Sequence, residues 1–298
     1  MSLSSYWPSS EERAFFEREG YLVVEDALSP AQVDRLLAAI DRCGGDQESE
    51  SAHYYNRLNI LGRDDAFVEL VDNPAVLGKV SGFLGWNIWV NHTHYNVRPP
   101  DASEENYRYD WHVDGGVFST DLQFQAPMTA IKVGFYLTDL REPQRGQTYI
   151  LPRSHIGERS WRDEYKKFTP PPKDAVALKV KPGSAVLFQQ RTLHSQGSPN
   201  LSGTIRKTIF VQWAYRWLYP VDAMTLGDLE TRTQEPIRRQ MLGLDRKRPD
   251  GILSSRYYPN PEDLPLKNRL IQEVGIQRMC ELGPAATRHL TQFLDFKV

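Results

Sequence analysis

The chain has 298 residues and a formal charge of −2, from 36 basic and 38 acidic side chains that are well mixed along it. With 40% hydrophobic and 25% charged residues it has the composition of an ordinary globular protein, and the lack of a basic stripe argues against a nucleic-acid partner. No apolar run reaches the ~18 residues of a membrane span. MSLSSYWPSSEERAFF lacks the order of a secretory signal, and Cys43 and Cys280 alone make neither a disulfide framework nor a zinc pattern, so a cytoplasmic protein off the membrane is expected.

In chain order, a helix is predicted over 9–19, capped by Ser9 or Ser10, with Glu11 and Glu12 at the positive end of its dipole. Gly20 ends it, and Tyr21-Leu-Val-Val24 reads as a strand. Ser29-Pro30 opens a second helix that runs to Cys43, with Val33, Leu36, Leu37 and Ile40 on one face. The polar stretch 46–52 reads as a loop, and Pro74–Leu84 as a third helix. Short β-type runs then follow at Asn87–Arg98, Ile131–Thr138, Thr148–Leu151, Val176–Val180, Ala185–Phe188 and Lys207–Tyr215. Such strands, separated by turn residues, indicate a sandwich or barrel. Helical stretches return at Glu235–Leu244 and Leu264–Glu281. The expected plan is one mainly β domain over 1–298, with helices at about 9–84, a β core at about 85–217 and a helical, loop-rich region over 218–298.

Of seven histidines, three bear on chemistry. His112 and Asp114 are two apart, so on an extended strand both would project to one face. His194 follows the strand Ala185–Phe188, and two histidines with one carboxylate make the facial triad that holds non-haem Fe(II) with three positions left open. On its own, His-x-Asp also fits a solvent-facing pair on a sheet. Arg206 opens the last strand, where its planar fork could grip a dicarboxylate from inside the barrel or stand at the surface.

The ordered set of segments resembles the phytanoyl-CoA dioxygenase family of Fe(II)/2-oxoglutarate oxygenases. The resemblance rests on Phe16 through Asp26, the helix start Leu28–Val33, His112-Val-Asp114, Lys132 through Asp139, Arg145 through His155, Lys181 through Phe188 and His194 through Arg206, and it spans roughly 16–217. It implies a double-stranded β-helix, a cupin-like jelly-roll barrel with helices packed outside. It implies Fe(II), 2-oxoglutarate and O2 as cofactors, with His112, Asp114 and His194 as both metal ligands and catalytic centre, and Arg206 on the distal carboxylate of 2-oxoglutarate. Asn96 stands where relatives place an Asn on that co-substrate. Lys132, on the same side of its strand as Gly134 and Tyr136, could reach a bound anion or face outward. His155 matches a structural turn residue of the family.

Two departures stand out. Arg153 replaces a Gly of the family's turn, and Thr148 a Leu. The segment before Arg206 is one residue longer than usual, which makes Lys207, on the opposite strand face, its rival. Trp111 reads as packing, Trp213, Tyr215 and Trp217 as barrel core and lid packing, and Phe118 and Ser119 as the substrate mouth. A lid is expected from residues 46–56 or 218–260. The resemblance, with Asp114 retained, implies hydroxylation of a small metabolite rather than halogenation. The rival readings are a jelly-roll binding module without turnover and an interaction protein whose histidines are incidental. Oligomeric state is not readable.

Overall fold

The computed structural model describes residues 2–44, 55–101, 103–105, 107–114, 127–156, 171–195, 197–244 and 264–284. Its helices begin where the capping chemistry asks them to. In α1 (Ser10–Glu19) and α2 (Pro30–Cys43) the preceding Ser9 and Ser29 hydroxyls accept the N–H of the third residue on, and Glu12 and Gln32 reach back to the cap's own N–H. The helix α3 (Asp65–Val68) is one turn, and α4 (Pro74–Leu84) is buried along nearly its whole length.

Six strands form the larger antiparallel sheet: β1 (Tyr21–Val24), β2 (Tyr55–Leu58), β3 (Ile88–Arg98), β4 (Ala130–Tyr136), β7 (Ala185–Gln189) and β9 (Arg206–Tyr215), in the order β1-β7-β4-β9-β3-β2. Alternation along each strand separates two faces. Tyr95, Val97, Val133, Phe135, Leu187, Val211 and Trp213 turn outward into one buried apolar cluster with Val76, Val80 and Leu84 of α4. The opposite face carries Asn96 and His94 of β3, Lys132 of β4, and Arg206, Thr208 and Phe210 of β9, held in register by the pairs Asn96↔Thr208 and Tyr136↔Thr208. A second sheet is made of two-residue strands, β5 (Tyr149–Ile150), β6 (Val176–Ala177) and β8 (His194–Ser195), in the order β6-β5-β8. It faces the inner side of the first: the His194 ring lies 4.6 Å from that of Phe188, and Arg206 bonds Thr148 beside β5. The result is the jelly-roll barrel with flanking helices.

Several expectations need correction. β1 and β2 complete the larger sheet, so the barrel draws on residues well before 85. His112 sits in an isolated bridge to His194, and Asp114 in a turn, rather than side by side on a strand. The expected helix over 264–281 is two, α7 (Pro265–Glu273) and α8 (Ile276–Leu282), because Gly275 takes φ +86 between them. Among the described residues between β9 and α7 stand the short helices α5 (Leu229–Arg232) and α6 (Pro236–Met241). Trp213 packs outside the barrel, where its indole N–H donates to the Val71 carbonyl at 3.3 Å, and Trp217 is half exposed. Phe118, Ser119 and the lid segments 46–54 and 245–260 lie outside the described residues.

One glycine position joins α1 to the second sheet. Gly20 has φ +83, and a Cβ there would lie 2.4 Å from His155 Nδ1 and 2.6 Å from Thr192 Oγ1. The close approach lets the Thr192 hydroxyl donate to the Gly20 carbonyl at 2.9 Å.

Candidate metal centre

His112 and His194 are brought together by backbone before any ligand is considered. The N–H of His112 donates to the His194 carbonyl at 2.8 Å, the N–H of His194 returns to the His112 carbonyl at 2.9 Å, and the two rings lie 4.3 Å apart. Each ring is also turned by a carbonyl two residues earlier. His112 Nδ1 is 2.8 Å from Asp110 O, and His194 Nδ1 is 2.9 Å from Thr192 O. A carbonyl only accepts, so both Nδ1 atoms carry the proton and both Nε2 atoms keep a free lone pair. Fixing the ligand tautomer from behind is how proteins prepare imidazoles for a metal.

Asp114 supplies the third donor. Its Oδ2 is 3.7 Å from His194 Nε2, and one ligand atom from each of the three residues falls within 4.8 Å of the others. Oδ1 accepts from Lys132 Nζ at 2.9 Å, whereas Oδ2 is buried with no hydrogen-bond partner among the described residues. A buried anionic oxygen without a partner is costly unless a cation completes it. Two free imidazole nitrogens and that orphaned oxygen therefore fit a divalent metal. Burial alone would raise Asp114, but Lys132, His194 and His112 around it outweigh that and hold the carboxyl below its usual range. Burial, with His112 alongside, lowers His194 to about 3, so its ring stays neutral and able to ligate.

The same inner face encloses a cavity of about 110 Å3, lined among others by Asn56, Asn96, Thr148, Ser195, Arg206 and Phe210. Arg206 is 2% exposed, and its guanidinium is fixed from three sides, by Gly146 O at 2.7 Å and the hydroxyls of Thr148 and Thr208 at 3.0 and 3.2 Å. Lys207 points the other way and pairs with Asp41. Asn96 donates to Asn56 Oδ1 at 2.7 Å. Lys132 faces inward and lines the cavity, its ammonium donating to Asp114 Oδ1 at 2.9 Å. His155 is remote from the cluster, its Nε2 donating to the Glu17 carbonyl at 2.9 Å.

Sequence reasoning passed over part of this wall. His94 also lines the cavity, its Nδ1 3.1 Å from Nε2 of His92, whose Nδ1 lies 3.3 Å from Asp222 Oδ2. The His-x-His-x-Asn alternation over 92–96 was the available signal, because such residues share one strand face. Ser195 lies next to His194, and its hydroxyl is buried without a partner among the described residues.

The model of the phytanoyl-CoA dioxygenase family matches residues 16–208, well over half the chain. The chain belongs to that family. Ectoine dioxygenase of Bordetella parapertussis is 26% identical over 245 residues, covering 68% of this chain and 74% of that one. Two solved structures share the fold: HygX from Streptomyces hygroscopicus, seen with nickel, 2-oxoglutarate and hygromycin B, at TM-score 0.60 and 13% identity over 73% of this chain and 93% of its own; and the carbocyclase SnoK from nogalamycin biosynthesis, at TM-score 0.56 and 20% identity over 72% and 86%. The protein is therefore an Fe(II)- and 2-oxoglutarate-dependent oxygenase of the phytanoyl-CoA dioxygenase family, with iron, 2-oxoglutarate and O2 as its cofactors.

Proposed function

We propose that the protein hydroxylates an unactivated C–H bond of a small metabolite, with specialised metabolism as its setting and His112, Asp114 and His194 as the iron ligands. The observation that carries this reading is the convergence of two unprotonated Nε2 atoms and an orphaned carboxylate oxygen beside a cavity that also holds the buried guanidinium of Arg206.

Bound iron and 2-oxoglutarate supply oxygen activation, with 2-oxoglutarate going to succinate and carbon dioxide. The chain's own residues do the rest. Asp110 and Thr192 carbonyls hold the two rings in their ligating tautomer, and Lys132 holds Asp114 as a carboxylate. Arg206 would fix the far carboxylate of the co-substrate and Asn96 would steady it, and Lys132, which gives one N–H to Asp114, keeps two donors for the bound anion. The cavity orders the reactants, which is where a protein contributes most to such a reaction. Retention of a carboxylate at 114 supports hydroxylation over halogenation. The relative acting on ectoine supports a small-molecule substrate, and the whole chain acting as one domain is part of the same reading.

The test uses anaerobically purified protein. It should retain Fe(II) in equilibrium dialysis and convert 2-oxoglutarate to succinate in air, with both lost in His112→Ala. A chain that retains no iron and forms no succinate would instead be a jelly-roll binding protein.

A further inference from the structure

The loop that joins His194 to Arg206 closes over the guanidinium it leads to. Gly197 makes the approach, with φ +143. A Cβ there would lie 2.6 Å from Gly146 O and 2.9 Å from Arg206 Nη1, the two atoms of the 2.7 Å hydrogen bond that fixes the arginine. Only a glycine leaves that bond room. The stretch that follows β3 holds the loop from its other side. Asp101 Oδ2 accepts the Asn200 N–H at 2.7 Å, and the Asp101 N–H returns to the Asn200 carbonyl at 2.7 Å. The Tyr107 hydroxyl donates to the Gly197 carbonyl at 2.9 Å. Arg98, 4% exposed and the register partner of Arg206 on β3, donates to Asp101 at 3.0 Å and to the Tyr107 oxygen.

The direction of each bond is fixed by the groups themselves. A guanidinium only donates and a carbonyl only accepts, so the single phenolic proton of Tyr107 goes to Gly197 and its oxygen receives Arg98. Burial pushes the phenol up to about 12, which keeps that proton in place at neutral pH. We propose that Tyr107 is a positioning residue for the co-substrate: by holding the Gly197 carbonyl it keeps the loop seated on the Arg206–Gly146 bond and the guanidinium turned into the cavity. The role of Tyr107 rests on the reading of Arg206 as the partner of the distal carboxylate of 2-oxoglutarate. One stretch of chain then serves both halves of the site, with Tyr107 steadying the arginine and His112 entering the metal cluster.

Calorimetric titration of the Zn(II)-loaded protein separates this role from a general loss of structure. Two ligands are compared: 2-oxoglutarate, and 2-oxopentanoate, which keeps the keto-acid end and lacks the distal carboxylate. Tyr107→Phe removes one hydrogen bond, so the Kd for 2-oxoglutarate should rise about 3–10-fold while that for 2-oxopentanoate stays at its wild-type value. In an Arg206→Met background the same substitution should change neither, because the pathway from Tyr107 to the ligand is gone. Equal weakening of the two keto acids, an unchanged Kd for 2-oxoglutarate, or a further loss in the Arg206→Met background overturns the role of Tyr107. Loss of Zn(II) in Tyr107→Phe does so too, since the effect would then pass through His112. Should Tyr107→Phe fail to fold, Gly197→Ala strikes the same bond from the loop side and is read against the same two ligands. Failure of the underlying reading looks different: wild type would bind both keto acids equally and Arg206→Met would change nothing, which removes the arginine assignment and the role of Tyr107 with it.

Discussion

β3 and β9 pair over ten residue pairs, and their outer faces are locked into the main apolar cluster. The strands β5, β6 and β8 are two residues each, and His112 joins them through a single bridge. Each side carries half of the site. The long sheet holds the groups proposed to grip the co-substrate, Arg206 and Asn96, on a surface braced from behind. The short sheet holds the proposed metal ligands, with two backbone hydrogen bonds between His112 and His194 in place of an extended ladder. Metal binding to ligands not held by extensive pairing contributes to local order. One side is positioned by folding, and the other is completed by its ion.

The largest expected effect comes from breaking the short side. His112→Ala should abolish iron retention and reduce turnover to below about one-thousandth, ~4 kcal/mol or more in transition-state terms, while the urea midpoint of the metal-free protein stays close to wild type. Trp213→Ala attacks the long side from behind. It should cost about 3–5 kcal/mol in urea unfolding, with iron still bound by the folded fraction. Arg206→Met removes charge-assisted hydrogen bonds worth about 1.5–3 kcal/mol, so the KM for 2-oxoglutarate should rise roughly 10–100-fold with iron affinity unchanged. Loss of iron in that variant would mean that the two sides are not separable.

Acid provides the mildest probe. Burial lowers His194 to about 3, whereas the unfolded ring titrates near 6.5. Between those values the unfolded chain binds the extra proton, so stability falls as the pH drops and is recovered as it rises. About 2 kcal/mol should be lost by His194 alone from pH 6.5 to 5 in metal-free protein. Amide exchange at His194 and Ser195 should quicken before that of β9.

Legibility in the sequence follows the same division. The long elements declare themselves: α4 was bounded to the residue and β9 to within one, because sustained apolar alternation and caps mark them. Two-residue strands have no period to read, so the sequence extends them to Thr148–Leu151 and Val176–Val180. β2 has no signature in the sequence, because Tyr55-Asn-Arg-Leu58 carries an inward Asn56 that lines the cavity instead of an apolar residue, next to a polar run. Residue type alone marks His112-x-Asp114, and a bridge and a turn bring the donors together as well as the expected strand would. The inward aim of Lys132 could not be read, because it depends on Asp114, 18 residues away, occupying the space in front of it. Asp222 lies 129 residues from Thr93, and nothing local marks it as the partner of β3.

The junction at Gly20 has a consequence for inheritance. Its carbonyl receives the Thr192 hydroxyl, and the Thr192 carbonyl in turn receives Nδ1–H of His194. Any side chain at 20 would collide with His155 and Thr192 while forcing an unfavourable φ. In an unbiased screen for variants that fold but lose iron, residue 20 should therefore surface beside 112, 114 and 194, and drift at that codon should be purged as strictly as drift at a ligand.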